Sequence, residues 1–400
     1  MSGNSSGSKR AATAERLARW RLLLGREAEA GLGVTLDARE LRMDDALASL
    51  YRPKDEERRG GLGASAPTVA RWLGEIREFF PSSVVQVMQR DAIDRLGLRQ
   101  LLLEPEVLAT VQRDVHLLAT LIALKSAVPA KAKSMARQIV SEIVRELMRR
   151  FTGATQQAVS GALRRSSRTN RPRLQEIDWN RTIRANLRHY QPELGTVVPE
   201  RRIGFARRRS ALRSVVLCID QSGSMAQSAI YAGIFGAVLA SLPALDTHVV
   251  AFDTSVVDLS DHLQDPVDLL FGIQLGGGTE IGPALAYCTS LIARPSDTIL
   301  VLISDLFDGG HDGETLRRAQ ALVTAGVRVI VLLALDDNGR PSFSAELASA
   351  LATLGIPSFA CTPDHFPDLM AAAIEGRDLT RWAEERGIVT TRADGSNPSV

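Results

Sequence analysis

Lysine is nearly missing from this chain: only five of its 48 basic residues are lysine, and none lies beyond Lys133. Cysteine is scarce as well. Cys218, Cys288 and Cys361 are widely spaced and odd in number, which argues against a disulfide framework and against the close Cys/His pairs of a zinc site. They are expected as buried free thiols in a reducing cytosol. No apolar core follows Lys9 and Arg10, so the Ser/Gly-rich start does not read as a secretory signal. The longest apolar stretch, Ala232 to Leu245, is interrupted by Ser241 and Pro243 and is too short to span a bilayer. No Gly-x-x-x-x-Gly-Lys phosphate loop occurs, which removes ATP hydrolysis by that route. The net charge of +2 points by itself to neither nucleic acid nor membrane. A cytoplasmic location is expected.

What is present is an ordinary globular composition, 45% hydrophobic and 24% charged over 400 residues, enough for two or three domains. Residues 1–12 are expected to be disordered. Residues 13–152 read as a helical domain: Ala14–Leu24 sets Leu17, Trp20, Leu22 and Leu24 among arginines, and Thr68–Phe80 carries Val69, Trp72, Leu73, Ile76 and Phe79 at helical spacing. Val107–Leu124 and Ala132–Phe151 continue the pattern, while Tyr51–Ser65, with Pro53, Gly60, Gly61 and Gly63, reads as a loop. Residues 153–212 form a connector. Arg164–Arg213 holds fourteen arginines against Glu176, Asp178, Glu193 and Glu200, but few aromatics for base stacking, only Trp179, Tyr190 and Phe205. A solvated or acid-binding connector is the preferred reading and a nucleic-acid contact the alternative. Ile177, Ile183 and Leu187 predict some helix within it.

From Arg213 strand-like and helical runs alternate. Strands are predicted at Val215–Ile219, Thr247–Phe252, Thr298–Ile303, Val327–Leu335 and Ser358–Cys361. Helices are predicted at Ser228–Ser241, Ile281–Ile292, Glu314–Ala325, Ser344–Leu354 and Phe366–Ile374. The alternation specifies an α/β fold, a doubly wound and mostly parallel sheet over residues 213–377, followed by a tail at 378–400. The functional crevice of such a sheet lies off the carboxyl ends of its strands, where the strand order reverses.

Three segments sit at those ends: Asp220-Gln221-Ser222-Gly223-Ser224, Gly276-Gly277-Gly278-Thr279-Glu280 and Ser304-Asp305. Asp220, Ser222, Ser224, Thr279 and Asp305 make an all-oxygen set, suited to a hard cation such as Mg²⁺, Mn²⁺ or Ca²⁺. Ser222 and Ser224, two apart, are able to aim the same way. The three glycines let backbone approach an ion without a Cβ in the way. A carboxylate at the end of an apolar strand needs a compensating charge.

These residues resemble the von Willebrand factor A (VWA) domain and its metal-ion-dependent adhesion site, an Asp-x-Ser-x-Ser motif followed by a distant Thr and a distant Asp, over roughly Arg213 to Arg377. Leu306 follows Asp305 where many members carry glycine, a departure that leaves the ion-holding atoms unaffected. Asp178-Trp179, Arg181–Arg188 and Arg207–Arg209 resemble the CoxE-like branch of bacterial cytosolic members, commonly paired with MoxR-type AAA+ ATPases. The resemblance implies a non-enzymatic module. Its ion keeps a position open for a Glu or Asp of another protein, helped by the helix N-termini near Ser228 and Glu280.

Each motif has plainer readings. Any one of the three segments alone is an ordinary helix cap. Asp-Gln-Ser-Gly-Ser also looks like the aspartyl-nucleophile motif of haloacid-dehalogenase-type phosphotransferases, with Asp336-Asp337 as a magnesium pair, but that chemistry needs a lysine and none follows Lys133. Ser222 lacks the Gly-x-Ser-x-Gly frame of a serine hydrolase. His248 is expected to line the sheet. His311, Asp308 and Asp312 are expected on a solvated rim or on a partner-contacting one. Met225 fits either an exposed contact or packing, and Glu280 either a group behind the ligands or a first-turn acid.

Overall fold

The computed structural model describes residues 5–51, 66–95, 102, 104–166, 168–169, 172, 174–205, 213–274, 276–333 and 342–390. The chain divides into two compact units, residues 1–140 and 141–400. The loop expected over Tyr51–Ser65, the arginines 207–209 and the pair Asp336-Asp337 fall wholly or almost wholly outside the described residues.

The first unit is helical, as expected. In the helix Ala66–Phe79 all five apolar positions of the predicted stripe, Val69, Trp72, Leu73, Ile76 and Phe79, are buried. The indole of Trp72 donates to the carbonyl of Ala46 at 3.0 Å, so its polar atom is satisfied inside the core. The first helix differs from its sequence reading in two ways. It starts at Ser5, inside the stretch expected to be disordered, because alanines and long straight side chains through Arg10–Glu15 favour helix. It also turns Ala18 and Arg21 inward and leaves Trp20 and Leu24 exposed. Arg21 is buried against Asp44 at 3.4 Å and reaches Glu29 at 2.8 Å, and buried charge persists only when paired in this way.

The helix Ala130–Ser166 runs through position 152, where the sequence suggests the end of the helical domain. In the second unit its Phe151 packs on Phe235, which stacks on Phe366 at 4.3 Å. The arginine-rich stretch that follows is folded in part. Arg168–Thr169 pairs with Gly204–Phe205, Asp178 caps the helix Trp179–Ala185 by accepting from the amide of Arg181, and Tyr190–Gln191 pairs with Thr196–Val197.

The sheet contains β1 (Arg213–Asp220), β2 (Leu245–Phe252), β3 (Val256–Asp258), β4 (Thr298–Ile303), β5 (Arg328–Leu332), β6 (Ser358–Ala360) and β7 (Val389–Thr390), in the order β7-β6-β5-β4-β1-β2-β3. The five central strands are parallel, and the two edges are antiparallel. From β1 the chain builds outward through β2 and β3, then crosses to the other side for β4, so strand order reverses between β1 and β4. Residues Val215–Ile219 and Ile299–Val301 are fully or almost fully buried, as two covered faces require. The helix Ala226–Ala240 lies so close to β2 that a Cβ at Gly236 would come within 2.6 Å of the Val249 side chain. That helix, with the turn before it, is apolar and long enough by composition to cross a membrane, yet it is largely buried inside this unit.

Residues 379–390 are not a tail. Asp378 caps the helix Leu379–Glu384 by accepting from the amides of Thr380 and Arg381, Trp382 packs edge-on against Phe359, and β7 closes the sheet edge on β6. The apolar residues Leu379, Trp382 and Ala383 are buried at helical spacing, which outweighs the polar residues around them.

Candidate functional site

The register places Asp220, at the end of β1, beside Phe252, and Ile219 beside Ile303 at the end of β4. Asp220 and Ser304-Asp305 therefore meet at the point where strand order reverses. Asp220 is fully buried; one carboxylate oxygen accepts the amide of Ser222 at 2.9 Å and the other accepts the Ser304 hydroxyl at 2.7 Å. Burial pushes the Asp220 carboxyl up, the negative charge of Asp305 adds to that push, and the hydrogen bonds from Ser222 and Ser304 oppose it.

The two motif serines join the same network. The hydroxyls of Ser222 and Ser224 lie 3.3 Å apart, and Ser224 donates to Asp305 at 2.6 Å. Ser222 stands at the start of the turn Gly223–Met225, but its side chain makes no capping bond. The helix-cap reading of this segment fails, because the Ser224 hydroxyl goes to the second carboxylate and the Ser222 hydroxyl meets Ser224, rather than the helix amides. Asp220, Ser222, Ser224 and Asp305 thus form one cluster of oxygens, three of its residues buried and Ser224 at the exposed lip.

Thr279 is carried by a loop tied on both sides of this cluster. The amide of Gly276 donates to the carbonyl of Gln221, and the amide of Gln274 donates to the Gln221 side chain, each at 2.9 Å. On the far side the amide of Glu280 donates to the carbonyl of Asp253 at 2.9 Å. Gly277, with φ +104, packs so closely on Asp253 that a Cβ would meet its carboxylate oxygen at 3.1 Å. A Cβ on Gly309, in the loop after Asp305, would reach the carbonyl of Thr279 at 3.4 Å. Backbone therefore ties the first motif segment to the second, and side chains tie the first to the third.

Several residues that build the site carry no signal in the adhesion motif. Gln221, in a position the motif leaves open, is buried and clamps the glycine loop. Ser304 orients Asp220 and also accepts the amide of Leu306 at 3.0 Å. Asp308, expected on a rim, is buried: it accepts the amide of Ile281 at 2.8 Å and the hydroxyl of Thr315, and burial holds its carboxyl above the usual range. It accepts the first amide of the helix Ile281–Leu291, so the chain's own carboxylate already takes part of that helix end. His311 is exposed, Met225 is fully buried and so a packing residue, and His248 sits half-buried in β2. Asp253, at the carboxyl end of β2, is a further acid on the same lip.

Gln221→Ala should leave every proposed ligand in place yet lose the acceptor for the Gln274 amide. A cost of about 1–2 kcal/mol is expected. Hydrogen exchange across residues 274–280 should quicken relative to the rest of the sheet, and unchanged protection there would show that the loop is held by other means.

The arrangement gathers two carboxylates among hydroxyls, with no cluster of three or more His, Cys, Asp or Glu among the described residues. It is also poorly built for a nucleophilic aspartate, because Asp220 is inaccessible and both of its oxygens are engaged.

The family match agrees with this architecture. The family of VWA domain containing CoxE-like proteins matches residues 151–370. Over 370 residues the chain is 36% identical to the uncharacterized protein YehP of Escherichia coli (strain K12), spanning 91% of this chain and 98% of that protein. Among solved structures, von Willebrand factor type A from Catenulispora acidiphila is 15% identical over 41% of this chain and 42% of that one, with a TM-score of 0.30. BatB from Bacteroides thetaiotaomicron is 16% identical over 43% of this chain and 98% of that one, with a TM-score of 0.31. The chain belongs to the VWA domain containing CoxE-like family.

Proposed function

We propose that this protein is a non-enzymatic, metal-dependent protein-binding module of the cytoplasm. Asp220, Ser222, Ser224, Thr279 and Asp305 hold one divalent ion, Mg²⁺ or else Mn²⁺ or Ca²⁺, and an Asp or Glu of a partner completes its coordination. The observation that carries the reading is the continuous network Asp220–Ser222–Ser224–Asp305 at the strand-order reversal, with Ser304 behind it. Its donor chemistry fits a hard cation: oxygen only, hydroxyl-rich, and two carboxylates whose mutual repulsion a +2 ion relieves. Once bound, the ion supplies electrophilic attraction for a carboxylate. Gln221, Asp253 and Asp308 hold the ligand loops in place. The partner we favour, on family resemblance alone, is a MoxR-type AAA+ ATPase, with this chain as its adaptor.

Phe307 supports a protein partner. Its amide donates to Asp305 at 3.3 Å while its ring is 55% exposed. A large apolar group next to the site is suited to a side chain neighbouring the partner's acid.

The test uses the tagged full-length chain purified from its own cells, with Mg²⁺ or with EDTA. The expected result is a MoxR-type AAA+ ATPase, identified by mass, that is retained with Mg²⁺ and lost with EDTA. Calorimetric titration of the purified chain with MgCl₂, MnCl₂ and CaCl₂ separates the two halves of the reading. Absence of binding to all three ions removes the metal site; binding of an ion without metal-dependent recovery of the ATPase removes the partner.

A further inference from the structure

The short helix Trp179–Ala185 is amphipathic in the reverse of the usual sense. Its inward residues are polar. The Thr182 hydroxyl donates to the carbonyl of Ile203 and accepts its amide, both at 3.0 Å. The Asn186 side-chain amide donates to the carbonyls of Thr182 and Arg201 at 2.6 and 2.8 Å, and its oxygen accepts the amide of Arg201 at 3.1 Å. Both residues are almost fully buried. The apolar residues point the other way: Trp179, Ile183 and Leu187, spaced four apart, are 52%, 43% and 59% exposed. A folded segment that buries hydrogen-bonded polar groups and exposes a tryptophan and an isoleucine one helical turn apart, with a leucine in the 3-10 turn that follows, has inverted the pattern that stabilises a surface helix. Large apolar side chains exposed this close together on a folded segment mark a candidate interaction site.

The charge around the stripe narrows the occupant. Arg184 and Arg188 directly follow Ile183 and Leu187 in the chain. Arg188 is engaged by Glu200 at 3.2 Å, whereas Arg184 is exposed and has no acidic partner among the described residues. Across Arg164–Arg213 the chain carries fourteen arginines against four acids, a net of ten positive charges in a protein whose total is only +2. An apolar ridge flanked by arginine is complementary to a segment with an apolar face and acidic flanks. Nucleic acid fits less well, because two of the three ridge residues are aliphatic and offer no ring for base stacking. A membrane surface also fits less well, since one seven-residue helix carrying two of the three ridge residues, with the third in the turn after it, is a short interfacial anchor.

We infer that the face formed by Trp179, Ile183 and Leu187, with Arg184 and Arg188 beside it, docks an acidic amphipathic segment of a partner protein. This contact is separate from the proposed ion site and does not require it.

The test uses the full-length chain in EDTA, so that the ion site plays no part, and a fluorescently labelled synthetic peptide with leucines at helical spacing and glutamates elsewhere. Fluorescence anisotropy should show saturable binding, with a scrambled peptide of the same composition binding much more weakly. Trp179→Ser, Leu187→Ser and Arg184→Glu should each weaken binding by about tenfold or more. All three positions are exposed, so these variants keep the fold. Asp220→Asn should bind the peptide as the wild type does, which separates this contact from the ion-dependent one. The inference is overturned if the peptide does not bind, or if the three variants bind it unchanged. It is also overturned if poly(U) or phosphatidylserine vesicles compete through the same three residues more strongly than the peptide does. Sedimentation showing a dimer that Trp179→Ser dissociates would assign the face to a second copy of the chain instead.

Discussion

Asp220→Asn is expected to abolish divalent-ion binding while making the ion-free protein more stable. Asp220 is fully buried, and its carboxyl is pushed up by burial and by Asp305, so keeping it ionised without a cation is costly. Asparagine preserves the shape: its oxygen accepts the Ser222 amide and its nitrogen donates to the Ser304 hydroxyl, which already accepts from Leu306. Removing one buried negative charge should therefore gain about 1 kcal/mol, read as a rise of a few degrees in the melting temperature in EDTA. In Mg²⁺ the order should invert, because only the wild type gains stability from the ligand. Loss of the Asp220 charge should weaken Mg²⁺ by about a hundredfold or more, at or beyond the upper end of the range seen for groups that only support the ligands. Calorimetry and thermal melts with and without Mg²⁺ decide the matter. A variant that binds Mg²⁺ like the wild type would show that Asp220 is a structural carboxylate and nothing more.

The sheet was legible because its signals are local and strong. Thr298–Ile303 is an uninterrupted apolar run, and it folds with the bounds its sequence predicts. β1 and the helices Ile281–Leu291 and Phe366–Glu375 differ from their predicted bounds only at the ends. The two antiparallel edges were not legible. Val256–Asp258 and Val389–Thr390 are too short to show a period, and they become strands only because β2 and β6 offer open edges. Arg21 was invisible as a core residue because its partner Asp44 is twenty-three positions away and no local pattern links them.

At the site the sequence named five oxygen residues, and hydrogen bonds join four of them, Asp220, Ser222, Ser224 and Asp305, into one network. Gln221, Ser304 and Asp308 were missed as builders of the site, although Gln221 and Ser304 stand in segments the reading picked out and Asp308 was expected on the rim. Their roles depend on which loop amide or carboxylate lies opposite, and only the fold supplies that. The connector shows the opposite failure. Ile183 and Leu187 have the spacing of a buried stripe, yet Thr182 and Asn186 take the inside because the carbonyls and amides of Arg201 and Ile203 need partners.

Leu306 presents the sharpest conflict between a residue and its backbone, and it makes an unusual mutational order expected. It is the sole non-glycine residue with positive φ among those described, at 62°, and its side chain is fully buried in the core cluster that includes Val216, Ile281 and Leu302. The left-handed conformation costs a residue with a Cβ about 1–2 kcal/mol. The turn tolerates it because the Leu306 amide reaches Ser304 and the next amide reaches Asp305. That geometry sends Leu306 inward and leaves Phe307 exposed at the lip. Truncation to alanine loses the packed side chain without relieving the backbone, so a loss of about 3–5 kcal/mol is expected. Glycine loses the same packing but regains the conformational penalty, less the entropy that glycine adds to the unfolded chain. Leu306→Gly should therefore equal Leu306→Ala in stability or exceed it by up to about 1 kcal/mol, the reverse of the order at an ordinary buried position. Urea melts of the two variants measure the difference. Ion binding should rank them the other way, because glycine lets Asp305 and Phe307 leave the positions that the strained leucine holds. If alanine is clearly the more stable of the two, then Leu306 does not adopt the left-handed turn in solution, and the placement of Phe307 beside the proposed ion site falls with it.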